Sequence, residues 1–87
     1  MEFVLNKCYG GFGLSEEACE ALNTTEELER NDERLVACIK VLGKEASARY
    51  AKLEIVSIPD DCTDYEINDY DGWESLTYVV NGKIYHA

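Results

Sequence analysis

The chain has 87 residues and carries eighteen acidic side chains against eight basic ones, which gives a formal net charge of −10. Affinity for nucleic acid depends on phosphates neutralised by lysine and arginine, so this composition argues against direct DNA or RNA binding. A chain this short buries only about 60–65% of its unfolded surface, which leaves little space for an elaborate catalytic pocket. We therefore expect one domain over residues 1–87, with a homo-oligomer as the route to any larger site.

A strand, a glycine loop and a helix start are predicted at the beginning of the chain. Residues 3–8 alternate in the period-2 pattern of a strand with at least one buried face. Glycines at positions 10, 11 and 13 follow and permit positive φ. Ser15 can then cap a helix whose first turn holds Glu16 and Glu17, where the helix dipole favours negative charge.

Two interpretations of the glycine loop stay open. It is either a tight strand-to-helix turn or a cradle for a nucleotide-like ligand, and the cradle would consist of Tyr9, Gly10, Gly11, Phe12 and Gly13. The G-G-x-G spacing matches neither a P-loop nor a dinucleotide-binding fingerprint. A phosphate at this helix end would also meet the charges of Glu16 and Glu17, which disfavours the cradle.

The helical part of the chain contains two predicted helices. The first covers residues 15–23, and residues 24–30 are left unassigned because they fit either helix or an irregular connection. The second begins at the capping residue Asn31 and ends at Gly43. Its apolar positions recur at i, i+3, i+4 and i+7, and they are Leu35, Cys38, Ile39 and Leu42. Residues 40–52 then form the one basic zone of the sequence.

The C-terminal part of the chain is predicted to be β-structure. Residues 53–58 read as a half-buried strand closed by Pro59, which cannot continue a central strand. Asp71-Gly72 and Asn81-Gly82 are two-residue hairpin signals, so the chain should end in a three-stranded meander. The predicted fold class is α+β, with an N-terminal strand and two helices packed on one face of an antiparallel sheet that ends in this meander.

A two-residue turn at Asp71-Gly72 fixes the register of the hairpin. It pairs Tyr70 with Trp73, and it also predicts the pairs Ile67 with Leu76 and Tyr65 with Tyr78. The face expected to pack on the helices consists of Tyr65, Ile67, Leu76 and Tyr78. The solvent face consists of Glu66, Asn68, Tyr70, Trp73, Ser75 and Thr77.

Tyr70 and Trp73 would stand side by side on that solvent face. The acids around them are Glu66, Asp69, Asp71 and Glu74. Aromatic anchors inside a charged rim are typical of a recognition patch. Two other interpretations stay open: the aromatic pair only staples the hairpin, or an oligomeric neighbour covers it. A bulge at the turn would exchange the two faces.

The sequence contains no recognisable catalytic, metal or cofactor motif. Cys8, Cys19, Cys38 and Cys62 form no C-x-x-C pair, and His86 has no companion for a metal site or a triad. An EF-hand alignment on Gly72 fails, because apolar or aromatic residues would occupy two of the required ligand positions. With no signal peptide and no membrane-spanning run, we expect a cytoplasmic, non-enzymatic protein without a cofactor and with reduced thiols.

Five stretches, which together span most of the chain, carry a family resemblance. They are residues 8–18 (CYGGFGLSEEA), 35–46 (LVACIKVLGKEA), 51–61 (AKLEIVSIPDD), 66–67 (EI) and 70–72 (YDG). With these stretches the chain resembles a family of small phage and prophage proteins. The resemblance thins after Trp73, where residues 81–87 (NGKIYHA) replace the basic, aromatic ending of that family. It implies a context and no catalytic motif, since short phage-borne proteins often interfere with a host function.

The functional expectation combines this context with the charge of the chain. We expect a small acidic phage-type protein, in the cytoplasm of a bacterial host, that binds and inhibits a host protein with a basic surface, in defence or nucleic-acid handling. The contact residues would be Tyr70, Trp73, Asp69, Asp71, Glu66 and Glu74. One alternative is a sponge that sequesters a nucleotide-like signal in the glycine loop, at an oligomer interface. Another is a structural subunit of a phage particle. Independently of these, the acids could serve only to keep a small protein in solution.

Overall fold

A computed structural model describes residues 1–23 and 28–87 of the protein. Its elements in chain order are β1 (Glu2–Asn6), α1 (Glu16–Leu22), α2 (Glu33–Leu42), a 3₁₀ helix (Gly43–Ala46), β2 (Leu53–Ser57), β3 (Asp64–Tyr70), β4 (Trp73–Val80) and β5 (Lys83–His86). The predicted α+β class, the N-terminal strand and the C-terminal meander are confirmed. Of the stretch left unassigned, residues 24–27 lie outside the described residues. None of the described helices combines the length and apolar character that a membrane span requires.

Both α-helices begin at a side chain that caps the first turn. Ser15 Oγ accepts a hydrogen bond from Ala18 N at 3.2 Å, as the sequence predicts. The prediction of Asn31 as the cap of α2 is wrong by one residue, because Asp32 Oδ1 accepts the N–H of Arg34 at 2.8 Å. An ionised carboxylate is a stronger acceptor than an amide oxygen, and the positive end of the helix dipole favours it.

β1 lies in the middle of three layers. It pairs with β2 in a two-stranded antiparallel sheet, while β3, β4 and β5 form a separate three-stranded sheet. Val4 packs with Leu35 in the cluster on the helix side, whereas Phe3 and Leu5 pack with Leu76 of the meander. All three β1 side chains are at most 1% exposed. The two-stranded sheet therefore separates the helices from the meander.

The inner face of the meander packs on β1 rather than on the helices, so that part of the prediction is wrong. The residues concerned are Tyr65, Ile67, Leu76 and Tyr78. Leu76 is fully buried beside Phe3, and the Tyr65 ring lies edge-on to Phe3 with 4.9 Å between centroids. Leu76 is buried and Ile67 and Tyr78 are half-buried, as periodicity predicts, whereas Tyr65 stays 40% exposed. Periodicity carries no information about which layer covers the face.

The strands form two sheets because other groups occupy the second edge of β1. Alternate residues of β1 direct their peptide groups at β2. On the opposite edge, Val4 N donates to Arg30 O at 2.8 Å and Asn6 N donates to Glu74 Oε1 at 3.0 Å. A loop carbonyl and a carboxylate thus satisfy buried amides that a neighbouring strand would otherwise bond.

Candidate protein-binding surface

β3 and β4 are joined by the predicted two-residue turn. Asp71 and Gly72 have φ values of 51° and 89°, and positive φ at both positions is what a type I′ turn requires. Gly72 N also donates to Asp69 Oδ1 at 3.0 Å. The register contains no bulge, so Tyr70 lies opposite Trp73 as predicted. The other two predicted pairs, Ile67 with Leu76 and Tyr65 with Tyr78, are confirmed as well.

The turn end of this hairpin exposes two large aromatic side chains. Tyr70 is 75% exposed and Trp73 is 40% exposed. Glu66, on the same face, and Asp69 and Asp71, next to the turn, are exposed too. Within residues 1–23 and 28–87, none of these three carboxylates forms an ion pair. Glu66 therefore lies on the same face as the two rings, whereas Asp69, which pairs with Glu74, has the parity of the opposite face and is exposed at the turn end.

Trp73 has a second aromatic neighbour, which comes from the glycine loop. The ring centroid of Tyr9 lies 5.0 Å from that of Trp73, with a tilt of 53° between the planes. Tyr9 is itself 63% exposed. The sequence interpretation placed Tyr9 in the alternative ligand cradle, because no local pattern links it to a residue so distant in the chain. We name the combined set the acidic aromatic surface, and its members are Tyr9, Tyr70, Trp73, Glu66 and Asp71. The prediction that Asp69 lines the same face is wrong, because strand alternation puts it opposite Glu74 on the other face of the hairpin.

Glu74 does not belong to this surface, and the prediction that it lines the rim is wrong. Strand alternation puts it on the inner face, where it is 3% exposed. Its carboxylate accepts hydrogen bonds from Arg30 Nη2 at 2.7 Å and from Asn6 N at 3.0 Å. The Arg30 guanidinium also stacks on Phe12, with 3.7 Å from Cζ to the ring centroid. A buried carboxylate is tolerated here because it is paired and hydrogen-bonded.

The turn is anchored to the body of the protein by Asn6. The Asn6 side chain is fully buried and donates to Gly72 O at 2.6 Å and to Cys8 O at 2.7 Å. Its Oδ1 accepts from Lys52 N at 2.8 Å. A Cβ on Gly72 would lie only 2.5 Å from Gly11 N. The turn and the glycine loop are therefore in backbone contact, which holds Trp73 and Tyr9 in a fixed relation.

Other contacts of the glycine loop are also made within the chain. A Cβ on Gly10 would lie 1.8 Å from Tyr50 O, so only glycine allows this backbone approach. Phe12 packs against the helix-side cluster as well as under Arg30. Gly11, with φ of 91°, has open space beside it. The contacts of Gly10 and Phe12 are those of a strand-to-helix turn, and Gly11 is the glycine of the loop beside which a side chain would meet no neighbour.

Asp32 and Cys38 have shifted pKa values, and the causes of both shifts are contacts within the fold. Hydrogen bonds from Arg34 hold the pKa of Asp32 below its usual value, and burial raises the pKa of the Cys38 thiol. All four cysteines are free.

In the part of the chain that the structure describes, no three His, Cys, Asp or Glu side chains converge to hold a metal ion. What the acidic aromatic surface offers is contact: ring faces that attract cations, and carboxylates that accept hydrogen bonds from them.

Comparison of the chain with protein-family models, with curated proteins and with solved structures finds no match.

Proposed function

We propose that the protein is a non-catalytic binding module whose acidic aromatic surface engages a basic surface on another protein. The observation that carries this proposal is the exposure of Tyr70 and Trp73 on a rigid turn, next to carboxylates without a cationic partner in the described residues. Exposed aromatic groups are enriched at protein interfaces, where they contribute much of the binding energy.

The rigidity of the turn supports this role. Asn6 and the backbone of Gly11 hold Gly72 in place, so binding would order little additional backbone at the turn. A surface that is already ordered avoids part of the entropy cost of association. The net charge of −10 adds long-range attraction toward a basic partner, which speeds encounter at low salt.

The resemblance to small phage proteins suggests what such binding would achieve. Covering a basic surface of a host protein blocks whatever that surface normally binds. A host protein that handles nucleic acid, including one that acts in defence, presents a basic surface for phosphates. Inhibition of such a host protein is therefore the function we propose.

Affinity capture from a bacterial lysate tests the proposal directly. The wild-type protein should retain a specific partner, whereas Trp73→Ala and Tyr70→Ala should lose it with folding intact. Tyr85→Ala is the matched control, since Tyr85 is 42% exposed but lies outside the acidic aromatic surface. Raising the salt from about 50 mM to about 500 mM should release the partner, because screening shortens the range of the attraction. A complex that ignores both salt and Trp73→Ala would contradict the proposal.

A second candidate function is sequestration of a nucleotide-like signalling molecule by the glycine loop. It is favoured by the open space beside Gly11 and by the exposed ring of Tyr9, on which a base could stack. A thermal-shift screen with cyclic nucleotides and ADP-ribose derivatives tests it. A stabilising ligand should raise the melting temperature in a concentration-dependent way, and Tyr9→Ala should abolish that shift. No shift with any of these compounds at millimolar concentration would eliminate this candidate.

A further inference from the structure

The outer edge of β2 is open. β2 has β1 as its one strand neighbour among the described residues. Because peptide groups alternate along a strand, those of Leu53, Ile55 and Ser57 point away from β1. Leu53 N donates to Ser47 Oγ at 2.9 Å. The amides of Ile55 and Ser57 have no acceptor in the part of the chain that the structure describes.

A groove of about 570 Å³ runs beside this edge, between β2 and the segment that follows α2. Its apolar lining comes from Ile39, Ala51, Leu53 and Ile55. Its charged residues are Lys44, Lys52 and Glu54. Both lysines are exposed, and neither forms an ion pair within residues 1–23 and 28–87. The groove is thus locally positive in a chain whose net charge is −10.

We propose that the β2 edge is a docking site for an acidic, extended peptide segment of a partner protein. The segment adds a strand to the sheet and pairs its backbone with Ile55 and Ser57. Addition of a strand to an open sheet edge is a common mode of peptide recognition, in which backbone hydrogen bonds give affinity and pockets give specificity. Alternate side chains of the segment enter the apolar groove, while its acids meet Lys44 and Lys52.

The groove distinguishes this site from an edge that is merely protected by charge. Lysine on an edge strand often serves to prevent unwanted strand pairing. That protective role needs no cavity beside the edge. Here Ile39, Leu53 and Ile55 line a space next to the sheet, in the position where the alternate side chains of an added strand would lie. The site is separate from the acidic aromatic surface, so neither proposal depends on the other.

Titration with a defined peptide tests the site. The probe is an acetylated, amidated seven-residue peptide of alternating glutamate and valine, added to isotope-labelled protein and followed by amide NMR. We expect saturable shifts and slowed hydrogen exchange at the amides of Ile55 and Ser57. A peptide with proline at its centre is the control for backbone pairing, because proline has no backbone N–H to donate. This peptide should bind about tenfold more weakly than the probe.

Charge variants separate a specific site from general attraction. Lys44→Glu combined with Lys52→Glu should weaken binding of the probe by about tenfold or more, and Glu54→Gln should strengthen it. Lys83→Glu is the matched control, since Lys83 is an exposed lysine on a strand of the other sheet and should have no effect.

Three results would overturn the proposal. The first is no protection of the Ile55 and Ser57 amides at millimolar probe. The second is equal weakening by Lys83→Glu, which would mean non-specific attraction. The third is protection of the same amides that grows with protein concentration in the absence of probe, which would make a second copy of the chain the occupant of the edge.

Discussion

The two turns of the meander share one local structure and have opposite surroundings. Asp71-Gly72 and Asn81-Gly82 both have positive φ at both positions, as type I′ turns do. A Cβ on Gly72 would collide with the backbone of Gly11, whereas a Cβ on Gly82 would meet nothing within 4 Å. The first turn is therefore part of the packed body, and the second is a free connection. The same dipeptide signal specifies the turn, while the tertiary contacts decide whether that turn can support a rigid surface.

This difference accounts for the location of the acidic aromatic surface. Asn6 holds the first turn through its hydrogen bond to Gly72 O, and Tyr9 adds a ring beside Trp73. The second turn is flanked by Val80 and Lys83, and the aromatic pair of its hairpin, Tyr78 with Tyr85, lies further along the strands from the turn. Four experiments follow in decreasing order of expected effect: three test the contacts of the first turn, and the fourth tests the cap of α2 as a site remote from both turns.

Removing the buried anchor below the first turn should have the largest effect. Glu74→Ala leaves the Arg30 guanidinium and the backbone N–H of Asn6 without their acceptor. We expect a loss of roughly 3 kcal/mol in the free energy of unfolding, at the low end for buried ion pairs because Arg30 is partly exposed. Urea denaturation measures this loss. Glu66→Ala, on the exposed face of the same hairpin, should change stability by about 0.5 kcal/mol or less.

Adding a methyl group to each turn compares the turns directly. Gly82→Ala should cost about 1 kcal/mol, because alanine disfavours positive φ. Gly72→Ala should cost roughly 1–3 kcal/mol more, since its Cβ would also displace the backbone of Gly11. Thermal unfolding measures both losses, and the near-ultraviolet spectrum of Trp73, the one tryptophan, should change only for Gly72→Ala. Equal losses for the two variants would show that the contact with the glycine loop has no energetic weight.

Removing the ring beside Trp73 should have a smaller effect on stability. Tyr9→Ala deletes the aromatic contact at 5.0 Å, which is worth about 0.5 kcal/mol or slightly more for an exposed pair. The fluorescence emission of Trp73 should shift to the red as water replaces the tyrosine ring. Tyr50→Ala is the control of similar exposure, and no change in tryptophan emission is expected there. An unchanged spectrum in Tyr9→Ala would contradict the contact.

A pH titration alters neither turn and gives the smallest effect. The folded-state pKa of Asp32 is lowered by its hydrogen bonds to Arg34, so the ionised carboxylate stabilises the folded protein above its unfolded pKa. This contribution is lost as the pH falls through the folded-state pKa, below about pH 4. Asp32→Asn retains a capping side chain without that ionisation, so its stability should decline less steeply in acid. If the free energy of unfolding fell equally steeply in acid for the wild type and for Asp32→Asn, the ionisation of Asp32 would not contribute to stability.

The parts of the fold that local patterns determine were predictable from the sequence. Two-residue turns with glycine fix strand register, which is why the pairing of Tyr70 with Trp73 followed from the sequence. The exposure of both side chains then followed from alternation along each strand. The placement of the helix start at Ser15 was likewise local, because capping depends on a side chain and the next few amides.

The errors concern contacts between distant parts of the chain. The sequence predicts Glu74 on the rim because it is acidic and follows Trp73, while its partner Arg30 is 44 residues away in sequence. The contact of Tyr9 with Trp73 depends on how the glycine loop meets the first turn, and no short-range pattern records this. The packing of the meander on β1 is another contact between distant parts of the chain. Periodicity predicts which face of a strand is buried but not which element covers it.

The central position of β1 has a consequence for how the molecule comes apart. Phe3 and Leu5 serve one hydrophobic cluster while Val4, between them, serves the other. Neither cluster can keep its packing once this strand is withdrawn. We therefore expect the helices and the meander to unfold together in a single cooperative step. An unfoldase that pulls β1 out of the fold would unfold the whole domain.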